Sequence, residues 1–156
     1  NLGYVLVGGA VIRSDGSLAG VVLRFRPDGK GLDPDFGPNG TGRFETTHGI
    51  DGGIRSIAAL TDGSVVAAGP IWPGGLGGTA PEEYQILRLD ALLGVLDSSF
   101  GNGGYGETFA PPSGYRLEQR SLVIDLNGNP VVAGNVYPTA NDGPPLPPVL
   151  ARNCGT

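Results

Sequence analysis

The chain has 156 residues, a formal net charge of −5 and a pI near 4.6, with Lys30 the only lysine among ten basic residues. No basic face is available to track phosphates, which argues against nucleic acid as a partner. No run of about 18 apolar residues offers a membrane-spanning helix. The 29 Gly and 14 Pro exceed a quarter of the chain, yet they punctuate short Val/Ile/Leu runs, the pattern of tight turns joining short strands. The opening at Asn1, without Met or a charged and apolar leader, reads as a processed or excised product.

Tyr4-Val5-Leu6-Val7-Gly8-Gly9 is β-branched and ends in glycine, as a buried strand before a turn should. Its echoes are Ser64-Val65-Val66-Ala67-Ala68-Gly69 and Pro130-Val131-Val132-Ala133-Gly134, whose small residues let backbones approach closely. Residues 20–26 follow as an alternating strand and Pro27-Asp28-Gly29-Lys30 as a turn. Residues 42–47 form a short outer strand. Residues 54–60 and 120–126 are each followed by an Asp-Gly or Asn-Gly turn, which predicts a type I′ hairpin in each unit. Residues 70–83 and 136–148 are irregular loops, the second rich in proline, and the last strand lies near residues 149–152. Residues 91–96 are the only helical candidate.

The chain repeats. Leu32-Asp33-Pro34-Asp35-Phe36-Gly37 recurs as Leu96-Asp97-Ser98-Ser99-Phe100-Gly101, and Leu23-Arg24 recurs as Leu87-Arg88, at a spacing of 64 residues. Arg152 falls in phase once more. Lettering the strands of one unit a to d, the chain reads b-c-d, a-b-c-d, a-b-c, which is ten strands. About four strands at a period near 60 is the blade pattern of a β-propeller. The expected fold is therefore all-β, with about two and a half four-stranded antiparallel blades. Residues 1–53 make a partial blade, 54–117 a complete blade and 118–156 a second partial blade. The remaining blades are expected to come from a longer chain or from another chain.

The succession of a-strand, DG turn, VVAG, then L-x-R and L-D-x-x-F-G resembles the delta-60 repeat family of bacterial secreted and surface proteins. The resemblance covers nearly the whole chain and departs at Leu93-Gly94, where the usual DG is lost. It implies a propeller-like scaffold at the cell surface or outside the cell, and brings no catalytic residues with it.

Arg24, Arg88 and Arg152 recur once per unit. A catalytic group is needed once, whereas a group needed in every unit staples the fold, so each arginine is expected to pair with an acidic or carbonyl group in its own or the adjacent unit. Asp33 and Asp97 are expected to accept backbone N–H groups as Asx turns or to pair with these arginines. Phe36 and Phe100 complete the repeated structural set. No cofactor is expected: carboxylates in Gly/Asn-rich turns can bind Ca²⁺, yet these turns lack a D-x-[DN]-x-[DN]-G series. Gly101-Asn102-Gly103-Gly104-Tyr105-Gly106 matches G-x-G-x-x-G without the following helix that a dinucleotide site needs. His48 is the only histidine and reads as a surface loop residue; Cys154, the only cysteine, reads as a buried apolar side chain. Trp72 and Tyr137, in the irregular loops, are the candidate contacts for a ligand. The functional expectation is a non-catalytic scaffold that contacts protein or glycan through these loops. The alternatives are a lactonase- or lyase-type propeller enzyme with its site in missing blades, or a self-assembling filament or surface-layer component.

Overall fold

A computed structural model describes residues 3–47, 50, 52–72, 83–139 and 146–152, the last stretch by its backbone. The described residues form nine strands in three antiparallel three-stranded sheets, each in sequential order, with no α-helix among them. The first sheet holds β1 (Val5–Ile12), β2 (Leu18–Phe25) and β3 (Arg43–Glu45). The second holds β4 (Ser56–Ala59), β5 (Val65–Ile71) and β6 (Glu83–Leu89), and the third β7 (Tyr115–Ile124), β8 (Pro130–Pro138) and β9 (Leu146–Arg152). The fold is all-β.

The tenth expected strand is present only in part. Residues 104–109 run beside β6 through Gly106 N to Ile86 O (2.8 Å) and the reciprocal Tyr84–Phe109 bonds (2.9 and 2.7 Å), but they form isolated bridges rather than a strand. Gly104, at φ +97°, and the glycines before it interrupt the extended backbone.

The hairpin turns follow the Asp-Gly signal but not the expected type. Between β4 and β5, Leu60 N donates to Ser64 O (2.8 Å) and Gly63 N to Leu60 O (3.1 Å), and Gly63 alone takes positive φ, at +90°. That is a three-residue loop closed by a left-handed glycine, rather than a two-residue type I′ turn. The Asp62 carboxylate selects it by accepting from Ser64 N (2.8 Å) and Ser64 Oγ (2.6 Å). Asp15 accepts the same pair from Ser17 before β2.

Residues 91–96 form a turn and not a helix, because Asp90 Oδ1 accepts from Leu92 N (2.9 Å) and Leu93 N (2.7 Å). β8 extends to Pro138, so Val136 and Tyr137 belong to a strand rather than to the expected loop. β9 begins at Leu146 and includes Pro147 and Pro148, which is tolerated because, among the described residues, β9 pairs with β8 alone and so lies at the sheet edge.

The sheets stack. Val65, Ala67, Leu87 and Leu89 of the second sheet pack with Val22, Phe36, Phe44, Ile50 and Ile54. Their alternates Val66, Ala68 and Ile86 pack with Phe100 and Val132 of the next layer. β5 is thus buried on both faces from Val65 to Pro70, as its unbroken apolar run requires. Its glycine permits the closeness: a Cβ on Gly69 would collide with the carbonyl oxygen of Gly53.

Among the described residues the outer layers lack such cover. Val5 pairs with Phe25 as Val65 pairs with Leu89, so the two valines are equivalent. Val65 is 1% exposed and Val5 56%. Val7 and Ile12 of β1 and Val123 of β7 are likewise exposed.

Candidate functional site

The repeated turns build two related charge clusters. In the first, Asp33 N donates to Arg24 O (2.8 Å) and Phe36 N to Asp33 O (3.1 Å), which folds the Leu-Asp-x-x-Phe-Gly turn back onto β2. The Arg24 Nε then donates to Asp33 Oδ2 at 2.6 Å, while Asp33 Oδ1 accepts from Asp35 N. Arg24 is 8% exposed and Asp33 2%. The guanidinium lies 4.8 Å from the Tyr4 ring centre and 4.6 Å from that of Phe36, and its Nη1 reaches the Ala91 carbonyl of the second unit at 3.3 Å. Arg24 therefore pairs in its own unit and across to the next.

In the second cluster, Asp97 N donates to Arg88 O and Phe100 N to Asp97 O, both at 2.9 Å. Arg88 Nε lies 3.1 Å from Asp97 Oδ2, and Nη2 donates to Asp62 Oδ2 at 2.8 Å. Asp97 Oδ1 accepts from Ser99 Oγ (2.6 Å) and Ser99 N (3.0 Å). The Ser99 hydroxyl chiefly, with the Ser99 amide and Arg88, holds the Asp97 carboxyl below the ordinary value. Ser64 and then Arg88 do the same for Asp62. Phe36 packs between the first and second sheets and Phe100 between the second and third. Arg152 stands opposite Val131 as Arg88 stands opposite Val66; its side chain lies outside the described residues.

Both expected roles of the aspartates, backbone acceptor and arginine partner, thus occur together. Their oxygens are committed to N–H and O–H donors, and among the described residues no group of three His, Cys, Asp or Glu side chains is placed to hold a metal.

The two aromatic candidates belong to different sheets. Trp72 follows β5, its indole 3.2 Å from where a Cβ on Gly52 would stand. Tyr137, near the end of β8, accepts from Asn135 Nδ2 (3.1 Å) and lies 5.4 Å beneath the Arg116 guanidinium. A hydrogen bond to Tyr137, with Glu118 close by, raises the pKa of Arg120 above its ordinary value. Residues 73–82 and 140–145, His48 and Cys154 lie outside the described residues.

One feature has no counterpart among the expected sites. A cleft of about 520 Å³ opens between the first and second sheets, lined by Tyr4, Leu6, Arg24, Leu60, Thr61 and Asp62 among others. Its sequence signal is a break in the repeat, Tyr4 standing where the second unit has Ser64.

These features define an all-β stack of repeated three-stranded sheets stapled by Arg–Asp pairs, buried in the first unit and partly exposed in the second. Comparison of the chain with protein-family models, curated proteins and solved structures finds no match.

Proposed function

We propose that the chain is a non-catalytic scaffold of β-propeller blades of the delta-60 type, secreted or displayed at a bacterial surface, which contacts protein or glycan partners through its irregular loops. The observation that carries this reading is the contrast between the middle and outer sheets. Val65 is buried by the preceding sheet, whereas its equivalent Val5 is exposed, so the stack is open where further repeats would continue it. Repetition of the Arg–Asp pair supports a structural role, since chemistry at one centre needs one such group.

The test is the native mass of the 156-residue chain by analytical ultracentrifugation. Open apolar faces drive association at micromolar concentrations, and Val5→Glu or Val7→Glu on the outer face of β1 returns the chain to a monomer. A stable monomer that neither substitution alters overturns the reading.

A further inference from the structure

We propose that the cleft between the first and second sheets binds a small carboxylate carried on a hydroxylated ring, the chemistry of a uronic acid. The two repeated arginines differ in one respect. Arg88 meets two carboxylates, Asp97 at Nε and Asp62 at Nη2. Arg24 meets Asp33 at Nε in the same way, but its Nη2 takes no partner among the described residues. The strand registers explain the difference: Val5 is equivalent to Val65, so the position of Asp62 falls on Leu2 and that of Ser64 on Tyr4. The second carboxylate is missing from the first unit by sequence.

Arg24 lines the cleft. It is nine-tenths buried and fixed by Asp33 and by the Tyr4 and Phe36 rings. A desolvated, immobilised guanidinium binds an incoming carboxylate without first paying to order its own side chain. The remaining walls select what carries that carboxylate. Leu6, Leu60 and Val65 are apolar and Tyr4 is aromatic, while Thr61 and Asp62 are polar residues. The Asp62 carboxylate is held by Ser64 at Oδ1 and by Arg88 at Oδ2 and keeps a lone pair on Oδ2 for a ligand hydroxyl, which a hydrocarbon acid lacks; a neutral sugar leaves Arg24 unmatched. A monoanionic sugar acid meets each wall, and the cleft volume lies within the range of about 300–1,000 Å³ usual for small-ligand sites. The inference holds whatever the number of blades, because both walls belong to this chain.

The experiment is an amide NMR titration of the 156-residue chain with glucuronate, glucose and acetate. Glucuronate shifts the amides of Leu6, Leu60, Gly63 and Ala91 saturably, at least tenfold more tightly than glucose or acetate. Arg24→Gln abolishes the response. Because that variant removes a buried partner of Asp33 and can fail to fold, Ala59→Glu provides the second arm. Ala59 is an exposed residue of the cleft wall, and a carboxylate there weakens glucuronate binding at least tenfold with the melting temperature unchanged. Equal responses to the three probes, shifts confined to other residues, or undiminished binding by folded Ala59→Glu overturn the proposal.

Discussion

The Phe36 ring of the first unit packs against Gly94 of the second, so close that a Cβ on Gly94 would overlap the ring. Gly94 also holds φ at +62°, and Gly37 N donates to Leu93 O at 2.7 Å beside it. Gly94→Ala is therefore both sterically and conformationally strained and costs about 2–4 kcal/mol in urea unfolding. Phe36→Leu in the same chain recovers part of that loss, since the two changes share one contact.

The arginines separate by burial. Arg24→Lys forfeits the planar fork in a nearly dry site and costs about 2–3 kcal/mol. Arg88, whose side chain and Asp62 partner are 28% and 54% exposed, costs under about 1 kcal/mol on the same change. Denaturation midpoints compared at equal slope give both values, and equal losses would contradict this account.

Two glycines make a second contrast. Gly128 has φ +83° with open space around it, whereas Gly69 faces the Gly53 carbonyl in the tightest layer. Gly128→Ala costs about 1 kcal/mol from backbone conformation alone. Gly69→Ala forces backbone apart and lowers the melting temperature further.

Asp62 and Asp97 have folded pKa values below the ordinary carboxylate value of 3.8. The unfolded chain then binds more protons than the folded one across that interval, so their stabilisation is fully present above about pH 5 and is lost as the pH falls through the folded values. Ser99→Ala removes the largest cause for Asp97. NMR titration of the Asp97 carboxyl carbon will show its midpoint move up toward 3.8, and the acid limb of the stability curve will shift to higher pH.

The strand succession b-c-d, a-b-c, a-b-c was legible because each strand carries its own apolar run between Gly-containing turns. The fourth strand of the middle unit forms only in part, since Thr108 and Phe109 favour a strand while Gly103 and Gly104, at φ +61° and +97°, break the extended backbone. The prolines that follow Tyr137 suggest a loop there, although Val136 is fully buried in β8. The Arg24–Asp33 and Arg88–Asp97 pairs were legible from repetition over nine residues. The bond from Arg24 to Ala91 was not, because partners 67 residues apart leave no periodic trace. The cleft was hidden for a related reason: it arises from a departure from the repeat, and periodicity directs attention to what recurs.

The dependence of the first sheet on residues 91–94 has a temporal side. During synthesis the strands of that sheet emerge early, but Phe36, Gly37 and Arg24 acquire their partners at Gly94, Leu93 and Ala91 only after more than fifty further residues have been added. Until then the Phe36 ring has no second wall. A ribosome that pauses between the first and second turns therefore displays an unfinished, adhesive surface, and the nascent chain is most exposed to misassembly in that interval.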